Sequence, residues 1–146
     1  MKDKLMIGII AGTVGDIIKN ILTFIYEKLN LHPTFWDYGY YLIFQKSLDK
    51  LDLKIIPSII VELFFGIGLA TMYSYLAHFM KTKHILLRGL MFGGSIWFFL
   101  RGAITLSHTK ELVTFDLTII FLNWCATLIF GLTVALVIRY LDKDNK

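Results

Sequence analysis

Four long apolar runs decide what this chain can fold into: Leu5 to Tyr26, Leu53 to Phe79, His84 to Leu106 and Val113 to Tyr140. The hydrocarbon core of a bilayer is roughly 30 Å thick, and a helix needs about 20 mostly apolar residues to cross it. Every run meets that length. Inside hydrocarbon the backbone must satisfy its own hydrogen bonds, which leaves continuous helices or a closed barrel. A barrel would show alternating segments of about 10 residues, and these runs do not alternate. The pattern therefore predicts an all-α polytopic membrane protein, a single transmembrane domain over residues 1–146 with four transmembrane helices. With 56% hydrophobic and 18% charged residues the chain is too apolar for disorder. With 1 Cys and 2 Pro it is neither a disulfide scaffold nor a Pro-rich one. Lys2 and Lys4 ahead of the first run give it the look of a secretion signal. That run is too long for a signal core, contains Asp16 and Lys19, and lacks a small-x-small cleavage pattern, so it is expected to stay as a span.

The flanks give an orientation. Four spans place both termini on one side, together with Lys2, Lys4, Lys81, Lys83, Arg88, Arg139, Lys143 and Lys146. The opposite side holds Lys28, Lys46, Lys50, Lys54 and Lys110. Basic residues favour the cytoplasmic side, so both termini are expected to be cytoplasmic. The net charge of +4 reads as membrane-surface electrostatics. It does not read as a nucleic-acid footprint, since no basic cluster falls on a reading element.

The one sizeable loop, Glu27 to Asp52, is aromatic at its centre, where Thr34 to Phe44 includes Trp36, Tyr38, Tyr40 and Tyr41. Trp and Tyr settle at headgroup level. This first outer loop is therefore expected to carry an interfacial helix, either a brace lying on the membrane or a lid over an outer site. A turn around Lys81-Thr82-Lys83 joins the second span to the third and predicts that they are antiparallel neighbours. The link around His108-Thr109-Lys110 joins the third to the fourth almost as tightly. Phe65-Gly66 and Tyr75-Leu76 recur with the same spacing as Phe130-Gly131 and Tyr140-Leu141, and Gly8 and Gly12 echo Gly89 and Gly93. Together they outline a parallel repeat of a helical hairpin, although Gly and aromatic residues are frequent enough in membrane helices to recur by chance.

Each span carries one stripe of small and polar residues. In the first, Gly8, Gly12, Gly15, Asp16, Lys19, Asn20 and Thr23 fall within about 140° of the helix circumference. In the second the stripe is Ser58, Glu62, Gly66 and Tyr73; in the third Gly93, Gly94, Trp97, Arg101, Thr105 and His108; in the fourth Asp116, Asn123, Thr127 and Gly131. The four stripes are expected to face one another, with Gly8, Gly12, Gly15, Gly66, Gly89, Gly93 and Gly131 as close-packing positions. At about 1.5 Å rise per residue, Asp16 lies near the midplane, Lys19 and Asn123 about 5 Å towards the outer face, and Glu62 and Arg101 about 8–9 Å. Asp116 reaches the outer interface.

The candidate site is thus a buried polar cluster of Asp16, Lys19, Asn20, Glu62, Arg101 and Asn123 in the outer half, above an apolar, glycine-rich inner half. An unpaired charge at mid-bilayer costs at least about 2.5–3.5 kcal/mol. The two acids are therefore expected to pair with the two bases, to line a hydrated cavity for an ion or small polar solute, or in part to meet another protein's helix. Asp16 and Lys19, at i and i+3, can pair within one helix. Spacing does not say which acid meets which base.

Catalytic and metal chemistry find little footing. His32, His78, His84 and His108 form no i, i+4 pair and have no Cys or acid at ligand spacing, so no metal is expected. Cys125 reads as a small apolar filler without a positive neighbour to activate it. There is no phosphate loop and no nucleophile elbow. Gly15-Asp16 approaches an intramembrane aspartyl protease signature, but Thr13 stands where that signature needs glycine, and a second mid-depth Asp is missing. No enzyme and no cofactor are expected.

The glycine-rich first span with Lys19, the aromatic loop with Trp36-Asp37-Tyr38, and the Gly-x-x-x-Trp-Phe stretch from Gly93 to Phe98 resemble small bacterial four-span membrane proteins of the YqhR-like type. The likeness covers nearly the whole chain. It implies a four-span fold in the bacterial plasma membrane and no particular activity. The functional expectation is a non-catalytic scaffold or accessory subunit, as a homo-oligomer or beside other membrane subunits. The alternative is a minimal oligomeric channel or transporter for an ion or small polar solute.

Overall fold

The computed structural model describes residues 3–31, 55–79, 84–106 and 117–143. These form four α-helices: α1 (Lys4–Lys28), α2 (Ile55–Phe79), α3 (Ile85–Leu106) and α4 (Leu117–Lys143). No strand occurs among the described residues. The helices have 25, 25, 22 and 27 residues. At about 1.5 Å per residue, each exceeds a hydrocarbon core of roughly 30 Å. All four are apolar enough to cross a membrane, so the chain is an all-α multi-pass membrane protein. The first three helices overlap the expected runs Leu5 to Tyr26, Leu53 to Phe79 and His84 to Leu106, of which residues 53 and 54 lie outside the described residues. At the fourth, residues 113–116 lie outside the described residues and the helix continues to Lys143. The aromatic segment 34–44 and the links at 81–83 and 108–110 also lie outside the described residues.

The ends of α1 follow from local chemistry. Asp3 Oδ1 accepts the Leu5 N–H at 3.0 Å and Asp3 O accepts the Ile7 N–H at 3.1 Å, which makes Asp3 an N-cap whose charge suits the positive end of the helix. At the other end Asn30 takes a left-handed φ of 56°, and the Leu31 N–H reaches back to Tyr26 O at 3.0 Å. This is a Schellman-type stop, and Asn is one of the few side chains that tolerate it. Pro57 sits in the first turn of α2, where its missing N–H leaves nothing unpaired.

Glycine determines which helices pack. A Cβ on Gly12 would stand 2.6 Å from Ile67 Cα, and one on Gly8 would stand 2.5 Å from Thr71 Cα, so α1 and α2 touch backbone to backbone. Likewise Gly89 faces Gly131 O and Leu132 Cα of α4, each 2.9 Å from its would-be Cβ. Gly15 takes up the Phe130 ring and Val134, which brings α4 onto α1. The extensive interfaces are therefore α1–α2, α3–α4 and α1–α4.

The expectation that α2 and α3 are packed neighbours is corrected. They share no comparable interface among the described residues and meet through the Tyr73 and Phe92 rings, 4.6 Å apart at their centroids. A short link fixes where two helices end, not which faces touch. Phe92 stands on α3 where Gly15 stands on α1, and a bulky ring holds a neighbour off where a glycine admits it.

The interior is lined by Ala11, Ala70, Val134 and Ala135, all at most 1% exposed. The outside is the reverse of a soluble protein: Phe64, Phe98 and Phe99 are more than 70% exposed, as residues facing acyl chains would be.

Candidate functional site

The polar residues of α1 are drawn inward by the same glycines. Asp16, one turn beyond Gly12, is 1% exposed, and its carboxylate rests on Gly66 of α2, in space that any side chain at position 66 would fill. Lys19 follows three residues later and is also buried. Its Nζ lies 3.1 Å from Asp16 Oδ1 and 2.6 Å from Glu62 Oε1 on α2. It also lies 5.8 Å from the centroid of the Phe130 ring on α4, within cation–π reach. One ammonium thus ties three helices together. The flexible methylene stem of Lys19 spans the difference in depth between Asp16 and Glu62, which explains how one base reaches both acids.

The other expected members are placed as follows. Asn123 of α4 is buried and Asn20 of α1 is half-buried. Arg101 is half-buried on α3, one turn before an exposed Thr105. The expectation that four stripes all face inward is therefore corrected for α3, whose stripe is buried at Gly93 and turns outward towards its C-terminal end. Asp116 and His108 lie outside the described residues. Several acceptors around the cluster lack a hydrogen-bond donor among the described residues: Asp16 Oδ2, Glu62 Oε2, Asn20 Oδ1 and Asn123 Oδ1. The nearby hydroxyls do not supply one. Thr23 donates to Lys19 O at 3.0 Å, and Thr127 donates to Trp124 O at 2.8 Å, each within its own helix.

Towards the termini the interior closes. Gly8 and Gly12 hold α2 against α1, where the Thr71 hydroxyl lies beside Gly8, and Gly89 and Gly131 hold α4 against α3. Ser74 supplies a polar clasp there, its one O–H shared between Thr71 O at 2.8 Å and Lys4 O at 2.9 Å. Neither Ser74 nor Phe130, the ring beside Lys19, stands among the expected site residues. Ser74 was findable, because it follows Gly66 and Ala70 at helical spacing on one face. No group of three His, Cys, Asp or Glu side chains converges on a metal position among the described residues. Cys125 is a half-buried free thiol.

No protein-family profile, curated protein or solved structure matches the chain.

Proposed function

We propose that this protein is a non-catalytic scaffold or accessory subunit of a bacterial plasma membrane, with both termini cytoplasmic, working as a homo-oligomer or beside other membrane subunits. Its likeness to YqhR-like four-span proteins supports the location alone. The observation that carries the reading is the pair of tight seams below the ion cluster, where α1 meets α2 and α3 meets α4 through glycine backbones. A conducting path needs polar lining along its whole length, and towards the termini the described interior offers mainly glycine and apolar side chains, with Thr71 and Ser74. In this reading Lys19 is a lock that fixes the register of α1 against α2 and α4.

A second reading, a minimal channel or carrier, draws on the acceptors without donors at Asp16, Asn20, Glu62 and Asn123. A polar network that serves packing alone is normally satisfied. Ion flux into liposomes containing the purified chain separates the two. The scaffold reading expects flux no greater than in protein-free liposomes for Na+, K+ and protons. Flux that Glu62→Gln or Arg101→Ala abolishes would replace it with the channel.

A further inference from the structure

Four buried oxygens meet no hydrogen-bond donor among the described residues: Asp16 Oδ2, Asn20 Oδ1, Glu62 Oε2 and Asn123 Oδ1. They belong to three helices. Asn20 follows Asp16 by one turn on the same face of α1, Glu62 lies across Lys19 from Asp16 on α2, and Asn123 is on α4. Asp16 is 1% exposed and Asn123 is 7% exposed, so the surface does not serve them. The hydroxyls at that end turn to their own helices, Thr23 to Lys19 O and Thr127 to Trp124 O. All four oxygens are of one kind, carboxyl or amide, and each asks for an O–H or N–H. A polar group buried for packing alone is normally satisfied by its neighbours.

We propose that this cluster is a binding site for a ligand that donates hydrogen bonds through O–H or N–H groups, supplied by water or by the hydroxyl or amino headgroup of a lipid. The oxygen lone pairs call for such a ligand whatever else Lys19 and Arg101 touch. Buried oxygens of this sort are commonly served by bound water, each molecule making about 3 hydrogen bonds. The packing gives the ligand a side to enter by. α1–α2, α1–α4 and α3–α4 are extensive interfaces, and α2–α3 is not. The ring contact of Tyr73 with Phe92 joins α2 to α3 about 16 Å nearer the termini than Glu62, counted along α2. Beyond that contact the α2–α3 seam is the side of the bundle that no extensive interface closes. The site goes beyond the scaffold reading. A ligand held in one half of the bundle crosses nothing, and the flux measurement decides that reading separately.

Solid-state NMR of the full chain in bilayers tests it, with proton magnetisation selected from water or from lipid headgroups and passed to 13C-labelled carbons. The expected result is early transfer from one of these sources to Asp16 Cγ, Asn20 Cγ, Glu62 Cδ and Asn123 Cγ, and little to the backbone carbonyls of the buried Ala70 and Ala135. Transfer from water identifies bound water, and transfer from headgroup protons identifies a lipid donor; either upholds the site. Glu62→Leu, which removes one acceptor, is expected to reduce the transfer to Asp16. Circular dichroism checks the fold of that variant, and the parent spectrum decides the matter if it fails to fold. Transfer from neither source, with acyl-chain protons alone beside the four carbons, overturns the proposal. Transfer as strong at Ala70 and Ala135 as at the four carbons also overturns it, because the donor is then not held at these oxygens. A signal at Asp16 that a folded Glu62→Leu leaves undiminished does so too, because the two acids then share no ligand.

Discussion

The α1–α2 and α3–α4 hairpins dock in the same register and fill it differently. Gly12 meets Gly66 O, Ile67 Cα and the Ala70 methyl, while Gly89 meets Gly131 O, Leu132 Cα and the Ala135 methyl. The same three kinds of atom recur 65 residues on. One turn further, α1 and α2 present Asp16 and Glu62, where α3 and α4 present Gly93 and Thr127. Gly93 lets the second hairpin stay closed, with its would-be Cβ on Thr127 O. Asp16 requires room instead, and Gly66 provides it. Two glycines at equivalent places thus do unlike things: Gly131 admits a backbone, and Gly66 admits a carboxylate. One shared docking geometry leaves a charged core in one hairpin and an uncharged seam in the other, decided by two positions.

The sharpest way to break this contrast is to remove Lys19 and its counterpart Ile96. Taking one partner from a buried ion group costs about 3–5 kcal/mol, whereas a volume-conserving apolar swap costs less than about 1.5 kcal/mol. Reversible unfolding in mixed micelles should therefore show a large loss for Lys19→Met and a small one for Ile96→Met. Adding Glu62→Gln to Lys19→Met should recover part of the loss, since less uncompensated charge then remains. Equal losses at positions 19 and 96 would mean that the two hairpins are held alike.

Next in size are the paired glycines. Gly66→Ala and Gly131→Ala each overpack a closed seam, an effect of about 1–3 kcal/mol. They differ in what yields. Truncating Asp16 to Ala should relieve Gly66→Ala, with a coupling of about 0.5–3 kcal/mol in a double-mutant cycle. No side-chain truncation on α3 should relieve Gly131→Ala, because its obstacles are Gly89 O and the Gly93 backbone. The smallest effect belongs to Gly68, whose would-be Cβ meets nothing within 4 Å. Gly68→Ala should leave stability unchanged or raise it by up to about 1 kcal/mol through helix propensity, whereas Gly12→Ala should lower it.

The four apolar helices were legible because run length against bilayer thickness is a strict test. The membership of the polar core was partly legible too, since burying a stripe that contains Gly12, Asp16 and Lys19 is the direct way to shelter two charges. Pairing was not legible. Sequence spacing places residues on one helix face but says nothing about how far one helix slides along another. The glycine echo invited matching Gly8 with Gly89 and Gly12 with Gly93, whereas the packing matches Gly12 with Gly89, four residues away, because register is set by the partner helix. The choice of neighbours failed at Phe92 for a similar reason. A ring in place of a glycine decides whether two helices close, and a three-residue link does not.

The central claim is that Lys19 turns inward and bridges both acids. Solid-state NMR in bilayers, measuring dipolar coupling from 15N-labelled Lys19 Nζ to the 13C-labelled carboxyl carbons of Asp16 and Glu62, tests it directly. The account predicts coupling to both, consistent with nitrogen–oxygen distances of 3.1 and 2.6 Å. Coupling to neither, with the ammonium instead in contact with water or lipid headgroups, would contradict it.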